Sequence, residues 1–129
     1  MSAAPIFNKI ALIGFGLIGG SIARAARAQG LAGEIVTTAR SARTRARVSE
    51  LGLVDRVVET NAQAVENADL VILCIPVGAC GAVAQEIAAH LKPGAIVHAG
   101  TPLGLYPVEA GDRIAVFVDE EPTAHCLIG

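Results

Sequence analysis

Residues 9–21 read Lys9-Ile-Ala-Leu-Ile-Gly-Phe-Gly-Leu-Ile-Gly-Gly-Ser21, and this stretch decides the fold of the chain. A strand-like apolar run comes first, three glycines follow in the spacing G-x-G-x-x-G, and residues 17–28 are typical of a helix. In such a unit the first glycine permits a tight turn, the second leaves room for a pyrophosphate and the third lets the helix pack close to the sheet. Because a helix start also offers unpaired N–H groups and a positive dipole end, the stretch predicts a dinucleotide site. The alternative interpretation is a glycine-rich turn used only for packing.

Strands and helices alternate along the chain after this stretch. Further strands are predicted over residues 34–38, 57–59, 69–75 and 95–98, and further helices over 41–51, 61–67 and 78–91. The alternation predicts an α/β fold, a doubly wound parallel sheet of the Rossmann type with the strand order 3-2-1-4-5. That order brings Gly14 and Pro76 to the carboxyl ends of neighbouring strands, where ligands bind in such sheets.

Length and composition predict one globular domain followed by a tail. The chain has 129 residues, of which 53% are hydrophobic and 17% are charged. We assign residues 1–98 to a Rossmann dinucleotide-binding domain and residues 99–129 to a divergent, irregular tail, which glycines and prolines interrupt. One added strand is predicted in the tail, near residues 113–118.

Charge and cysteine content exclude several kinds of partner. A net charge of −2 does not favour nucleic acid. Cys74, Cys80 and Cys126 are odd in number and lack metal-ligand spacing, so we expect reduced thiols and no metal. No apolar run approaches the roughly 18–20 residues of a membrane span, and residues 1–8 lack the pattern of a signal peptide. These features predict a cytoplasmic protein with no membrane partner.

The same residues resemble a known family. The run from Lys9 to Ala25, above all Leu17-Ile-Gly-Gly-Ser21, is similar to the opening of prephenate and arogenate (cyclohexadienyl) dehydrogenases, and residues 50–55, 68–77 and 91–97 extend the similarity. The resemblance implies an NAD(P)-dependent oxidoreductase of tyrosine biosynthesis, in which hydride passes to a nicotinamide and loss of carbon dioxide drives aromatisation of a cyclohexadienyl acid. It also implies three groups of cofactor-binding residues: Gly14, Phe15, Gly16, Leu17, Ile18 and Gly19 at the pyrophosphate, Ala39, Arg40 and Ser41 at the adenosine ribose, and Cys74, Ile75, Pro76 and Val77 on the ribose and nicotinamide side.

The resemblance stops after Val97. The family continues with Thr-Asp-Val-Gly-Ser-x-Lys, then a His-Pro-x-Ala-Gly segment with the catalytic histidine, then a helical substrate and dimerisation domain. This chain instead reads His98-Ala-Gly-Thr101 and departs. His98 is a weak substitute, because a lone histidine at a strand end is more often a structural donor, and His125, beside Cys126 in the tail, is a weaker one. The catalytic residues therefore stay unknown, and we expect a truncated protein, inactive alone, that takes a small cyclohexadienyl acid only if a second domain is supplied.

Two further expectations concern cofactor choice and association. NAD-binding members of this architecture carry Asp or Glu about 20 residues after the glycine loop, where it accepts hydrogen bonds from the ribose 2′-OH. This chain has Ala39 there, followed by Arg40 and Ser41, which predicts a preference for NADP with NAD as the alternative. Arg43 and Arg45 could add to the positive field at the 2′-phosphate of NADP, but we expect each of Arg43, Arg45 and Arg47 on a solvated helix face. The uncovered seam for a second domain predicts self-association.

Two other functions stay open at this point. One is a non-catalytic nucleotide-binding or regulatory module, and the other is the cofactor domain of a β-hydroxyacid-type dehydrogenase. The Leu17-Ile-Gly-Gly-Ser21 run favours the prephenate and arogenate group over the β-hydroxyacid type. The missing catalytic segment favours the non-catalytic module, which would bind a dinucleotide and catalyse nothing.

Overall fold

A five-stranded parallel sheet forms the centre of the molecule. The structure, a computed structural model, describes residues 4–99, 106–107, 115–118 and 124–127. Its first nine elements are β1 (Phe7–Ile13), α1 (Gly16–Gln29), β2 (Ala32–Thr38), α2 (Ala42–Leu51), β3 (Arg56–Val58), α3 (Asn61–Val65), β4 (Leu70–Leu73), α4 (Val77–Ala88) and β5 (Ile96–Ala99). The strand order β3-β2-β1-β4-β5 with parallel pairing confirms the predicted doubly wound sheet.

Helices cover both faces of the sheet, so alternate residues of one strand belong to different cores. On one face Ile10 and Leu12 of β1 pack with Ala23 and Ala26 of α1. On the other face the buried side chains come from the strands and from α3 and α4, and they include Ala11, Ile13, Val36, Ala64, Val65, Val71, Leu73, Ala84, Ile87 and Val97. Burial on both faces explains why the central strands are apolar throughout.

Local chain chemistry sets the helix ends. Ser41 caps α2 by accepting a hydrogen bond from the Thr44 N–H, and Gly52 ends the same helix in the left-handed region. Thr60 and Gln63 form a capping box at the start of α3. That helix ends at Val65 rather than at residue 67, because Glu66 leaves helical geometry and Asn67 takes a positive φ of 60°. The remaining boundaries lie within three residues of the predicted ones, and the ends of β1, β2 and α2 coincide with them.

A carboxylate ties the start of β1 to the start of β4. Asp69 accepts hydrogen bonds from the N–H groups of Asn8 at 2.6 Å and Lys9 at 3.2 Å, and it pairs with the ammonium of Lys92. The Lys92 hydrogen bond is the main cause that lowers the pKa of Asp69 below its usual range. The charged form of Asp69 therefore stabilises this edge of the sheet.

The tail contains more strand than the sequence predicted. β6 (Tyr106–Pro107), β7 (Ala115–Val118) and β8 (Ala124–Leu127) pair as an antiparallel sheet in the order β6-β7-β8. β7 falls within the predicted strand at 113–118, whereas β6 and β8 were not predicted. Both are short and lack the alternating apolar pattern that identifies a strand, so pairing with β7 defines them. The other tail residues lie outside the described residues, and the domain boundary at 98 stays a prediction.

Candidate functional site

Two of the three motif glycines are required by close packing. Gly14 has φ +84°, and a Cβ added there would lie 2.7 Å from the carbonyl oxygen of Cys74, which directly follows β4. A Cβ at Gly19 would lie 3.0 Å from the carbonyl oxygen of Gly14 and 3.6 Å from the Cβ of Cys74. Side chains at these positions would force the turn and α1 away from the sheet. Gly14 and Gly19 therefore have the packing roles predicted from the motif.

Gly16 differs from both, because open space surrounds it. A Cβ built on Gly16, at φ +43°, meets no atom of the described residues within 4 Å apart from its chain neighbours and its own helix backbone. Gly16 is also the first residue of α1, whose N-cap Phe15 provides no side-chain hydrogen bond and whose first turn holds no acidic residue. The N–H groups of this turn are left for an anion, together with the positive end of the helix dipole. The residues present fit a dinucleotide pyrophosphate.

Two threonines at the end of β2 hold the glycine turn. The hydroxyl oxygen of Thr38 accepts a hydrogen bond from the N–H of Gly14 at 3.0 Å. The hydroxyl of the fully buried Thr37 lies 2.9 Å from the carbonyl oxygen of Leu12 and 3.2 Å from that of Gly14, and it can donate to either. Both polar backbone groups of Gly14 therefore lie within hydrogen-bonding distance of side chains on β2, which fixes the start of the turn.

A cavity of about 620 Å³ opens beside this turn. Five of the predicted cofactor-binding residues line it: Gly14, Ala39, Arg40, Ile75 and Pro76. They come from the carboxyl ends of β1, β2 and β4, which the strand order brings together. The remaining lining residues were not predicted: Ile13, Thr38, Glu59, Thr60, Asn61, Ala79, Val83 and Glu86.

The segment after β2 presents one free cation to this cavity. Ala39 is buried, and its N–H donates to the Val58 carbonyl oxygen at 3.0 Å. Arg40 is exposed, and its guanidinium has no hydrogen bond or ion pair with another described residue. Ser41 differs, because its hydroxyl accepts from the Thr44 N–H and lies 2.8 Å from the Thr44 hydroxyl oxygen. A phosphate at Ser41 would have to replace part of this helix cap.

The expectation of a solvated face was wrong for Arg45. Its Nη1 donates to the carbonyl oxygens of Ala39 at 3.0 Å and Arg40 at 2.8 Å, and the residue is half-buried. Arg43 and Arg47 are exposed as predicted. The sequence could not separate the three, because only the bend of the chain after β2 brings two carbonyls within reach of Arg45.

Most of the chain is similar to one known protein family. Residues 9–99 match the family described as NADP oxidoreductase coenzyme F420-dependent. The chain belongs to this family. The match includes the glycine turn, the segment after β2 and all five parallel strands except the first two residues of β1. Its fold is that of the nicotinamide dinucleotide-binding oxidoreductases.

Two of the following relatives agree with the resemblance seen in the sequence, and the third is a different reductase. The chain is 42% identical over 92 residues to cyclohexadienyl dehydrogenase of Zymomonas mobilis, which is 71% of this chain and 31% of that protein. It is 39% identical over 90 residues to pyrroline-5-carboxylate reductase of Pseudomonas aeruginosa, which is 69% of this chain and 33% of that protein. The crystal structure of Synechocystis arogenate dehydrogenase superposes with a TM-score of 0.66 at 29% identity, covering 73% of this chain and 33% of that one. The chain spans about a third of the length of these relatives.

The segment after β4 contains the largely buried Cys74 and the start of α4. Cys74 packs in the core on the α1 side, and burial, with a smaller contribution from Cys80, raises its pKa to about 11. Pro76 is the N-cap of α4, which begins at Val77. A second helix therefore starts at the edge of the sheet where α1 starts. Cys74 contributes packing and no reactive thiolate.

Three other predicted residues of the glycine loop line a different groove. Phe15, Gly16 and Leu17 line a separate groove of about 450 Å³ with Arg24, Leu51 and other residues of α1 and the segment after α2. Leu17 and Ile18 expose 91% and 63% of their surface. Side chains of the loop therefore face a different space from the cavity at Arg40.

Sequence reasoning missed two kinds of residue in this family site. The threonines that hold Gly14 follow an apolar run, where Thr37-Thr38 is ordinary strand sequence. Glu59, Asn61 and Glu86 belong to segments that carried no motif, and the Asn61 side-chain amide donates to Glu86 at 3.1 Å. The sequence offered one signal for the threonines: Thr37 and Thr38 are a pair of β-branched polar residues at the end of the strand that follows the glycine loop.

In the described residues, no three His, Cys, Asp or Glu side chains group as ligands for a metal ion. Among the helices assigned in the described ranges, none has the length and apolar character needed to cross a bilayer.

Proposed function

We propose that this chain is the cofactor domain of a prephenate or arogenate dehydrogenase-like oxidoreductase and that it prefers NADP to NAD. The family match, the 42% identity to a cyclohexadienyl dehydrogenase and the sequence Leu17-Ile-Gly-Gly-Ser21 support the dehydrogenase assignment. A small cyclohexadienyl acid would be bound by a second domain, because the matched residues make up a dinucleotide site.

The NADP preference depends on one observation. Arg40 lines the cavity with an exposed, unpaired guanidinium, while the neighbouring position, where a carboxylate would select NAD, holds the buried Ala39. A 2′-phosphate is not repelled by alanine, and a guanidinium can bind it through two N–H groups. No other unpaired cation of the described residues lines this cavity.

The cofactor would lie along the carboxyl edge of the sheet. The first turn of α1 would hold the pyrophosphate, residues 39–41 the adenosine ribose with its 2′-phosphate, and residues 74–77 the nicotinamide side. The nicotinamide, once bound, is the hydride acceptor. The close approach of Gly14 to Cys74 and the hydrogen bond from the Gly14 N–H to the Thr38 hydroxyl keep this end of the sheet rigid, so that binding orders few additional groups.

Calorimetric titration with NADPH and NADH tests the preference. We expect the wild type to bind NADPH at least about tenfold more tightly, since a charge-assisted hydrogen bond contributes roughly 1.5–3 kcal/mol. Arg40→Ala should remove most of this difference, and Ala39→Asp should reverse it. Arg47→Ala is the matched control, because it removes an exposed arginine of α2 and should change both affinities by less than about twofold.

Glu59 provides the decisive opposing test. Glu59 lines the same cavity and directly follows Val58, whose carbonyl oxygen accepts a hydrogen bond from the N–H of Ala39. Under our proposal Glu59→Gln strengthens NADPH binding, because a repelling charge is removed, and leaves NADH binding nearly unchanged. Tighter wild-type binding of NADH, lost in Glu59→Gln, would overturn the NADP assignment and give the ribose contact to Glu59.

The substrate assignment needs a separate experiment. A full-length protein containing residues 9–99 should reduce its cofactor with prephenate or arogenate and not with a β-hydroxyacid. Activity toward pyrroline-5-carboxylate instead would favour the other curated relative, which is 39% identical. Dinucleotide binding with no turnover of any of these acids would favour the non-catalytic module.

A further inference from the structure

We propose that Arg45 is a positioning residue for cofactor choice: it acts through the backbone carbonyls of Ala39 and Arg40 and not by touching the cofactor. The proposal deepens the NADP assignment and rests on it. It concerns a residue that neither the glycine motif nor the rule for the end of strand 2 includes.

The contacts of Arg45 set it apart from its neighbours on α2. One nitrogen, Nη1, lies 3.0 Å from the carbonyl oxygen of Ala39 and 2.8 Å from that of Arg40. The Arg45 N–H donates to the Ser41 carbonyl oxygen at 3.0 Å, so the helix holds the base of the side chain as well. Arg43 and Arg47 are exposed and make no such contact among the described residues. Arg45 thus closes the bend between β2 and α2.

These two carbonyls matter because they flank the group proposed to bind the 2′-phosphate. A carbonyl oxygen carries partial negative charge and would oppose a phosphate dianion near Arg40. A hydrogen bond from a guanidinium offsets that charge, and the bond is stronger than one between neutral groups. The Arg45 side chain is half-buried, so solvent screens its own positive charge less than that of the exposed arginines.

The same two bonds restrain the backbone that carries the Arg40 side chain. Arg45 holds the carbonyl oxygens of Ala39 and Arg40 with a single nitrogen, which restrains the peptide between them. The backbone on the N-terminal side of Ala39 is held by the hydrogen bond from its N–H to the Val58 carbonyl oxygen. Without Arg45 the segment would order only when the phosphate binds, and the ordering would weaken binding. A 2′-hydroxyl makes no comparable demand on Arg40, so the effect should fall mainly on NADP.

The experiment compares three variants by titration with NADPH and NADH. Arg45→Met removes the charge and both bonds while keeping a long apolar side chain. Arg45→Lys keeps a cation that can still donate to the two carbonyls. Arg43→Met is the matched control, since it makes the same charge change on the same helix at an exposed position. Thermal unfolding of each variant checks that the fold is retained.

We expect Arg45→Met to weaken NADPH binding about tenfold and NADH binding by less than about threefold, with Arg45→Lys near the wild type and Arg43→Met changing neither by more than about twofold. Equal weakening of both cofactors by Arg45→Met would show a purely structural role and overturn the proposal. So would equal effects of Arg45→Met and Arg43→Met. If Arg45→Met does not fold, loss of the NADPH preference in folded Arg45→Gln, which keeps a donor without the charge, supports the proposal and its retention overturns it. A wild type that binds no dinucleotide would overturn the proposed function itself. That result differs from the outcomes above, in which the wild type binds and only the variants decide the role of Arg45.

Discussion

The N–H of Gly14 donates a 3.0 Å hydrogen bond to the hydroxyl of Thr38, a residue 24 positions later in the chain. This bond joins the turn that would hold the pyrophosphate to the strand end that precedes the proposed ribose segment. Thr37 adds a second link within reach of the Gly14 carbonyl oxygen, at 3.2 Å. The two parts of the proposed cofactor site are therefore connected by side chains, in addition to the parallel pairing of β1 and β2.

Replacing Thr38 by valine should loosen the glycine turn. The change keeps the side-chain shape but leaves the partly buried Gly14 N–H without its acceptor, which costs about 1–2 kcal/mol of unfolding free energy. Dinucleotide affinity should fall together with the melting temperature, and Thr38→Ser should restore both. Thr44→Val is the control, because its hydroxyl lies at the exposed α2 cap. Unchanged dinucleotide affinity in a destabilised Thr38→Val protein would show that the hydrogen bond between Gly14 and Thr38 does not support binding.

Gly16→Ala should weaken dinucleotide binding by at least about tenfold, since its methyl group would occupy the space left for the pyrophosphate. The positive φ of 43° adds backbone strain of roughly 1 kcal/mol. Gly30→Ala separates these effects, because Gly30 has φ +63° and equally open surroundings but caps the opposite end of α1 from the turn. Titration of both variants, with thermal unfolding, decides. If both variants lose similar stability and only Gly16→Ala loses dinucleotide binding, the pyrophosphate site at Gly16 is supported. Intact binding by Gly16→Ala would contradict it.

Asp69 should make the fold sensitive to acid. Its pKa is lowered in the folded protein, so the unfolded chain, in which Asp titrates near about 4, takes up the proton first. The stabilisation from Asp69 is complete above that value and is lost as the pH falls through the lower folded pKa. Urea unfolding of Asp69→Asn at pH 7 should show a loss of about 1–3 kcal/mol and a flatter dependence below pH of about 4. Glu50→Gln, an exposed change on α2, should reproduce the wild-type acid limb.

Leu17 and Ile18 should promote self-association. Their exposed fractions of 91% and 63% lie on adjacent residues of the first turn of α1, and large exposed apolar patches are uncommon on monomers. Light scattering over a range of concentrations should show association that the double change Leu17→Gln and Ile18→Gln reduces. Ile6→Gln is the control, since Ile6 is 73% exposed and precedes β1 at the opposite end of the sheet. A monomeric wild type would contradict this prediction.

The sequence by itself determined the fold and the turn at the centre of the site. Residues 9–21 contain the strand, the glycine spacing and the helix in order, and the apolar runs at β2, β4 and β5 follow at the intervals of a doubly wound sheet. These signals are local, because periodicity and backbone freedom depend on residues close in the chain. They were sufficient to place Gly14 beside Pro76 and to make Ala39 and Arg40 the candidates for cofactor choice.

Only the tertiary structure decided which polar side chains support that site. Thr38 reaches Gly14 across 24 residues, and Glu59 joins the cavity because β3 pairs with β2. Arg43 and Arg45 are the same residue type on one helix, yet only Arg45 meets two carbonyl oxygens. Such contacts depend on how the chain bends between elements and on which strands lie next to each other, and neither property is encoded in a single local pattern.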